Sequence, residues 1–305
     1  MGKYPVNFDE LMDMFPNDEA CLNYLHKLRW PDGYYCRHCF SNDFLELSRG
    51  LYRCLSCQYE SSVIAGTLFQ DTHKPLRLWF RAIWYVVNQK NGVSALGLQK
   101  ALGLGSYRTA WNWLHKLRRA MVRPGRDKLS GIVEVNETFI GGEHPGKRGR
   151  GAEGKTIVLI AVEESPKGIG RIRLADISNA SGKELGNTIQ EMVLAGSTIR
   201  TDGWRGYMSL SKLGYNHEPM INSNIKESDS VQLAHRVASL LKRWLMGTHH
   251  GGISYKNIAY YLDEFTFRFN RRTSRSRGKL FYRLIEQAVQ LEPVPAKMLN
   301  TTYSG

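Results

Sequence analysis

Two Cys-x-x-Cys pairs, Cys36 with Cys39 and Cys54 with Cys57, constrain this chain more than any other feature. The fourteen residues from Phe40 to Arg53 let two tight knuckles meet and gather four thiolates into a tetrahedron, the arrangement of a structural Zn²⁺ site. Zn²⁺ has no ligand-field preference, so four sulfurs at about 2.3 Å close its shell and leave no position for substrate. His38 lies inside the first knuckle, but four cysteines make it unnecessary as a ligand. Paired in this way, the cysteines argue for metal in a reducing compartment and against a disulfide framework. The fifth, Cys21, stands in the apolar-patterned EACLNYLHKLRW and reads as a core residue. Strand-like pieces at Phe44 to Leu47 and Leu51 to Cys54 complete a small ribbon.

The ribbon occupies a small part of 305 residues, a length that as a prior holds roughly two domains of about 150 residues. Lys plus Arg number 42 against 28 Asp plus Glu, a net charge of +14 that favours a polyanionic partner. An anionic membrane is the competing partner, yet the apolar run Ala82 to Val87 is far too short to span a bilayer. The opening MGKYPVNFDELMD has no apolar signal core, and Val6 stands where a myristoylation motif wants Ser or Thr. A soluble, cytoplasmic protein is the expectation.

Residues 8 to 30 carry apolar spacings that suit two short helices, closed by a turn at Pro31, Asp32 and Gly33. From Lys74 to Met121 the pattern is helical again, starting at Pro75. Within it, VSALGLQKALGLGSYRTAWNWLHKLRRAM reads as helix, Gly-containing turn and helix, with Ser106 as N-cap of the second. Ala110, Trp113, Leu114 and Leu117 would face a core, leaving Arg108, Asn112, His115, Lys116, Arg118 and Arg119 as a polar, phosphate-reaching face of a helix-turn-helix. A packing hairpin with a merely solvated basic face is the alternative, and the net charge tips the choice toward DNA.

RPGRDKLSG concentrates Pro, Gly and charge and marks a linker near residue 125. Beyond it GIVEVNETFIGG, TIVLIAVEE and GRIRLADI form three strand-like runs suited to a meander, followed by a helix-like SGKELGNTIQEMV, a strand ending at STIRTD and a helical tail from about Val231. This is an α/β domain. The two-residue strand period puts Glu134, Asn136 and Thr138 on one face. Asp202 falls where a strand would end at a Gly-containing turn, a usual place for metal-holding carboxylates in open α/β sheets. His235 and Lys242 are seven residues apart, about 700° around a helix, and so project from one side. GEHPGKRGRGAEGK, with Lys147, Arg148 and Arg150, reads as a mobile basic hairpin loop. Farther on, YYLDEFTFRFNRRTSRSRGKLF interleaves aromatics with cations, and Arg268, Arg271, Arg272 and Arg275 through Lys279 suggest a phosphate-tracking surface. His249 and His250 sit in a turn and are not read as ligands, and the segment after Pro293 is expected to be loosely ordered.

LRWPDGYYCRHC, QKNGVSALGLQKALGLGSYRTAWNWLHKLRRAMVRPGRD, VEVNETFIGG, RTDGWRGY, HRVASLLKRWLMGTHHG and YLDEFTFRFNRRTSRSRGKLFYRL carry a resemblance that runs nearly end to end. With them the chain resembles bacterial insertion-sequence transposases that join an N-terminal zinc ribbon to a ribonuclease H-like, DDE-type catalytic domain. The resemblance implies metal-dependent strand cleavage and joining at transposon ends, with two Mg²⁺ or Mn²⁺ ions activating a water or 3′-hydroxyl and stabilising the leaving oxygen. It implies that Asp202 is the second carboxylate position, His235 the third metal position and Lys242 a phosphate contact. It further implies double-stranded DNA as partner, a homodimer or higher assembly, and residence at the nucleoid. The expected domains are 1–72 for the N-terminal helices and ribbon, 73–125 for the helix-turn-helix-like region, 126–290 for the ribonuclease H-like domain and 291–305 for a tail.

One position departs from the pattern. Where the family's first strand carries Asp, this chain has Asn136. An amide offers one carbonyl oxygen and no charge, so Asp202 is the one anion among the matched metal positions, and a hard Mg²⁺ should bind weakly. Glu134 on the same face is the possible substitute ligand. The expectation is a transposase impaired in chemistry that still binds DNA, the alternative being an inactive end-binding protein or regulator derived from one. A ribbon-bearing interaction module without DNA affinity is the third possibility, separated by the absence of a steep salt dependence.

Overall fold

The computed structural model describes residues 2–123, 125–141, 155–220, 231–249, 253, 255–296 and 298–300. In chain order its elements are α1 (Phe8–Met14), α2 (Asp18–Arg29), β1 (Phe44–Glu46), β2 (Leu51–Cys54), β3 (Glu60–Ser62), α3 (Leu76–Asn88), α4 (Ala95–Leu102) and α5 (Tyr107–Ala120). Then follow β4 (Ile132–Ile140), β5 (Thr156–Ser165), β6 (Gly168–Ile177), α6 (Gly182–Met192), β7 (Thr198–Thr201), β8 (Asn216–Pro219), α7 (Gln232–His249), α8 (Ile258–Asn270) and α9 (Arg277–Ala288). They form two compact units, Met1–Arg123 with Ser274–Asn300, and Pro124–Thr273.

In the first unit, Asn7 and Asn17 cap α1 and α2 by accepting the N–H of Glu10 and Ala20, each at 2.9 Å. The Arg29 guanidinium at the end of α2 is buried and donates to the carbonyls of Ser62, Val63 and Ala65, which ties the helix to the end of β3. Three antiparallel strands in the order β1-β2-β3 make the ribbon, and Cys21 is fully buried, as its apolar setting predicts.

Aromatic packing dominates the helical core. Phe15 meets Phe80 edge-on at 4.6 Å, Phe80 meets Phe281 at 5.8 Å, and Trp79 stacks on Trp113 at 3.8 Å; each fully buried ring contributes about 1.5–3 kcal/mol. Phe281 belongs to α9, which corrects the expected boundary at residue 290: α9 packs on α2, α3 and α5 of this unit. A Cβ on its Gly278 would lie 1.8 Å from the Pro5 carbonyl oxygen, so the close approach requires glycine. The expectation of a loose segment after Pro293 is corrected for Met298–Asn300, a 3-10 turn that packs on α5 with Leu299 fully buried, while residues 301–305 lie outside the described residues.

The second unit is a five-stranded mixed sheet in the order β6-β5-β4-β7-β8. The three predicted runs become the antiparallel meander β4, β5 and β6, while β7 and β8 continue the sheet parallel to β4. Strand β8 is short and polar, NHEP, and gave no sequence signal. One face packs Val133, Val135, Leu159 and Ile199 against Leu185, Ile189 and Met192 of α6. The opposite face packs Val158, Ile160, Ile172 and Leu174 against α7 and α8 through Val237, Leu241, Leu262 and Phe265. This strand order and these directions are the ribonuclease H-like arrangement. Among the described residues, no helix is long and apolar enough to cross a membrane.

Candidate metal centre and strand-pair site

The ribbon brings the four knuckle sulfurs within 4.8 Å of one another. Cys36 Sγ lies 3.7 Å from Cys57 Sγ, and Cys39 Sγ 3.5 Å from Cys54 Sγ. A tetrahedron with Zn–S bonds of about 2.3 Å has edges of about 3.8 Å, so the donor set fits Zn²⁺. The knuckles are built alike: the Phe40 N–H donates to the Cys36 carbonyl at 2.8 Å and the Gln58 N–H to the Cys54 carbonyl at 2.9 Å. Phe40 and Gln58 both take left-handed backbone, φ 61° and 60°, where a side chain costs about 1–2 kcal/mol. Burial opposes ionisation of Cys54, yet donors from the Cys57 and Ser56 backbone and from Cys39 bring its thiol down to about 6, ready to ligate as thiolate. His38 donates its backbone N–H to Cys36 Sγ, while its ring stacks on Tyr59.

The second site is assembled from distant segments. On β4, Glu134, Asn136 and Thr138 are all buried. The parallel ladder pairs Ile132 with Thr198, Val133 with Ile199 and Glu134 with Arg200; two residues beyond its last pair come Asn136 on β4 and Asp202, just past the end of β7. Asp202 is half-buried, and its Oδ1 accepts the Trp204 N–H at 3.0 Å. Asn136 Oδ1 accepts the Glu137 N–H at 2.9 Å.

Helix α7 starts against the same strand. Glu134 Oε2 accepts the N–H of Leu233 at 2.7 Å and of Ala234 at 3.0 Å, and the His235 N–H then donates to the Val231 carbonyl at 3.0 Å. His235 and Lys242 are exposed, each one residue beyond a buried position, Ala234 and Leu241. Glu134, the possible substitute ligand, thus gives one of its two carboxylate oxygens to the start of the helix. Burial raises the Glu134 pKa against those two amides. On the other face of β4, Glu137 Oε2 accepts the Tyr207 hydroxyl at 2.5 Å, a contact no sequence pattern marked. Arg200 pairs with Glu164 at 2.9 Å and Glu218 at 3.0 Å.

The three positions that the resemblance names would offer one amide oxygen, one carboxylate and one imidazole, a set that does not fit Mg²⁺. Among the described residues, the four cysteines are the one group of three or more His, Cys, Asp or Glu arranged to hold a metal.

Several expected DNA contacts require correction. Arg108 is exposed, but Asn112, Lys116 and Arg119 are half-buried and Arg118 is only 2% exposed. His115 is fully buried too. Helix α5 packs on α4, on α9 and on the Met298–Asn300 turn, so its polar residues do not form one open face. Burial lowers the Lys116 pKa, with Asp71 acting the other way. Ser106 occupies the N-cap position without a side-chain cap bond. Arg271 lies over Phe267 at 4.2 Å and Arg272 over Phe269 at 4.3 Å. Arg272 also donates to the carbonyls of Ile169, Gly170 and Phe269, so these guanidiniums serve the fold of the unit. Arg268 pairs with Glu264 at 2.7 Å, whereas Arg275 is exposed. His249 packs edge-on against Trp244 and Tyr261. Lys147, Arg148, Arg150, the loop around them and His250 lie outside the described residues.

Residues 128–270 match the ISXO2-like transposase domain, and residues 16–60 match the transposase zinc-ribbon domain. A Halobacterium salinarum protein described as an uncharacterized protein in transposable element ISH50 is 25% identical over 290 residues, covering 87% of this chain and 94% of its own length. The catalytic core domain of BIV integrase aligns with 44% of this chain and 81% of its own at 18% identity, with a TM-score of 0.30.

Proposed function

The chain resembles the insertion-sequence transposases that join a zinc ribbon to a ribonuclease H-like domain, and from that premise we propose that it binds the ends of a mobile DNA element as a DDE-type transposase impaired in strand cleavage and transfer. The observation that supports this reading is the parallel pairing of β4 with β7, whose last pair, Glu134 with Arg200, lies two residues before Asn136 and Asp202, while α7 begins against β4 with His235 in its first turn. A carboxylate at 136 would place two anions side by side for Mg²⁺ or Mn²⁺, the geometry metal-assisted phosphoryl transfer needs. With the amide, one anion is left. Lys242, two turns along α7 on the same exposed side, is suited to a phosphate as a point charge.

Asn136→Asp tests the reading. We expect Mg²⁺- or Mn²⁺-dependent nicking of end-containing duplex DNA to rise at least about tenfold, the effect of recovering one charge-assisted contact of about 1.4 kcal/mol. No gain would defeat it. A second reading, an inactive end-binding protein, is favoured by Asn136 itself and predicts tight, salt-sensitive duplex binding with no cleavage in either variant. Joining two ends requires two sites near each other, so a homodimer on DNA is part of the proposal, as is residence in the cytoplasm at the nucleoid.

A further inference from the structure

Where α2 ends against the ribbon, the charge of one guanidinium acts on another. Arg29, 9% exposed, commits its Nη1 and Nη2 to the carbonyls of Ser62, Val63 and Ala65, and its buried Nε has no acceptor among the described residues. Arg37, inside the first knuckle, is exposed, and its Nη1 lies so near Gly66 that a Cβ there would stand 1.9 Å away. A bare glycine in left-handed backbone, φ 70°, is thus the seat of the Arg37 guanidinium. Burial first and the Arg37 charge second pull the Arg29 pKa down to about 10, with the phenols of Tyr35, Tyr34 and Tyr59 acting the other way. Tyr35 and Tyr59 are 44% and 43% exposed. Glu60, the carboxylate next to Tyr59, is bound by Arg53 at 2.7 Å, and no hydrogen bond or ion pair holds the Arg37 guanidinium among the described residues.

Cations and hydroxyl donors that gather in this way are matched by an oxyanion. A guanidinium offers phosphate two parallel N–H donors in a fixed fork, which makes Arg suited to that group beyond its charge alone. We propose that Arg37 binds a backbone phosphate of DNA, with the Tyr35 and Tyr59 hydroxyls as further donors and the buried charge of Arg29 reinforcing the attraction. The claim deepens the end-binding reading and rests on it for its ligand, a duplex approached by a chain of net charge +14. It gives the ribbon, whose four sulfurs close the zinc shell, a direct part in holding DNA. A phosphate contact is blind to base sequence, so this one sets position and affinity and leaves recognition of the ends to other groups.

The test uses the full-length, zinc-loaded protein and two duplexes of unrelated sequence. Arg37→Gln should lower the slope of log Kd against log salt by about one on both duplexes. Arg37→Lys keeps the charge and should restore the slope. Tyr35→Phe and Tyr59→Phe each remove one donor and should weaken both duplexes about two- to tenfold at unchanged slope. Zinc content of one per chain identifies folded variants; if Arg37→Gln loses zinc, the Arg37 Nε–H resonance of the unaltered protein decides, and it should shift when duplex is added. An unchanged slope in folded Arg37→Gln, or a resonance that stays in place on bound duplex, overturns the proposal. Inorganic phosphate titrated alone separates the sources: it should move the same resonance and be displaced by duplex, whereas a resonance that follows phosphate and ignores duplex marks a site for the free anion and overturns the DNA contact. Should the unaltered protein bind neither duplex, the end-binding reading fails and takes this contact with it; binding that is intact in Arg37→Gln sinks the contact alone.

Discussion

The two sites differ in how they are assembled. The ribbon gathers its four ligands between Cys36 and Cys57, on two knuckles of the same backbone design, and every donor is a cysteine sulfur. The strand-pair site proposed above would draw on β4, the end of β7 and the start of α7, and Asn136 stands there where the resemblance implies a carboxylate. A local site is complete once its loop closes. A distributed site depends on the register of a whole sheet.

The largest effect should come from breaking the ribbon. Cys54→Ala, or a strong chelator, should release one zinc per chain and unfold residues 34–62, since structural zinc supplies on the order of 10–16 kcal/mol of apparent binding free energy in zinc-finger peptides. Amide exchange should show that loss while Val158 to Val162 of β5 stay protected; simultaneous loss of both would show that the second sheet depends on zinc. Next in size, Arg118→Ala should destabilise the first unit by about 2–4 kcal/mol in urea melts, because it empties a nearly closed site, and should leave the salt slope of DNA binding unchanged. Arg275→Ala should do the reverse, with stability within about 0.5 kcal/mol of the parent and a salt slope lower by about one. A slope change in Arg118→Ala would restore α5 as a DNA-facing helix. The smallest effect is expected at the knuckles: Phe40→Gly relieves left-handed strain but adds chain entropy, for a net gain of about 0.5 kcal/mol or less in ribbon stability.

Legibility followed the same division between near and far. The zinc ligands could be read from spacing because their geometry is set within a few residues of each cysteine. The meander, α6 and the core role of Cys21 were legible because their periodicities are strong. Asn136, Asp202, His235 and Lys242 became a group only through resemblance, since a parallel pairing of β4 with β7 leaves no trace in either strand alone. The polar stripe of α5 misled for a physical reason: periodicity tells which residues share a face, and it took α9 and the Met298–Asn300 turn to show that more than one face is covered. Arg271 and Arg272 misled in a related way. A run of cations looks solvated until aromatic rings and carbonyls are found beneath it. Glu134 was visible on the right strand face, but nothing in the sequence tells which backbone amides a carboxylate will find.

The closure of the first unit by α9 carries a consequence for biosynthesis. Phe281 fills a space between Phe15, Phe80 and Trp84, and a ribosome translates it only after every strand of the second sheet. Until then the amino-terminal helices emerge with an uncovered apolar wall. Premature termination before Arg277 would leave that wall bare, so truncated products should be aggregation-prone and readily degraded even though their ribbon cysteines are intact.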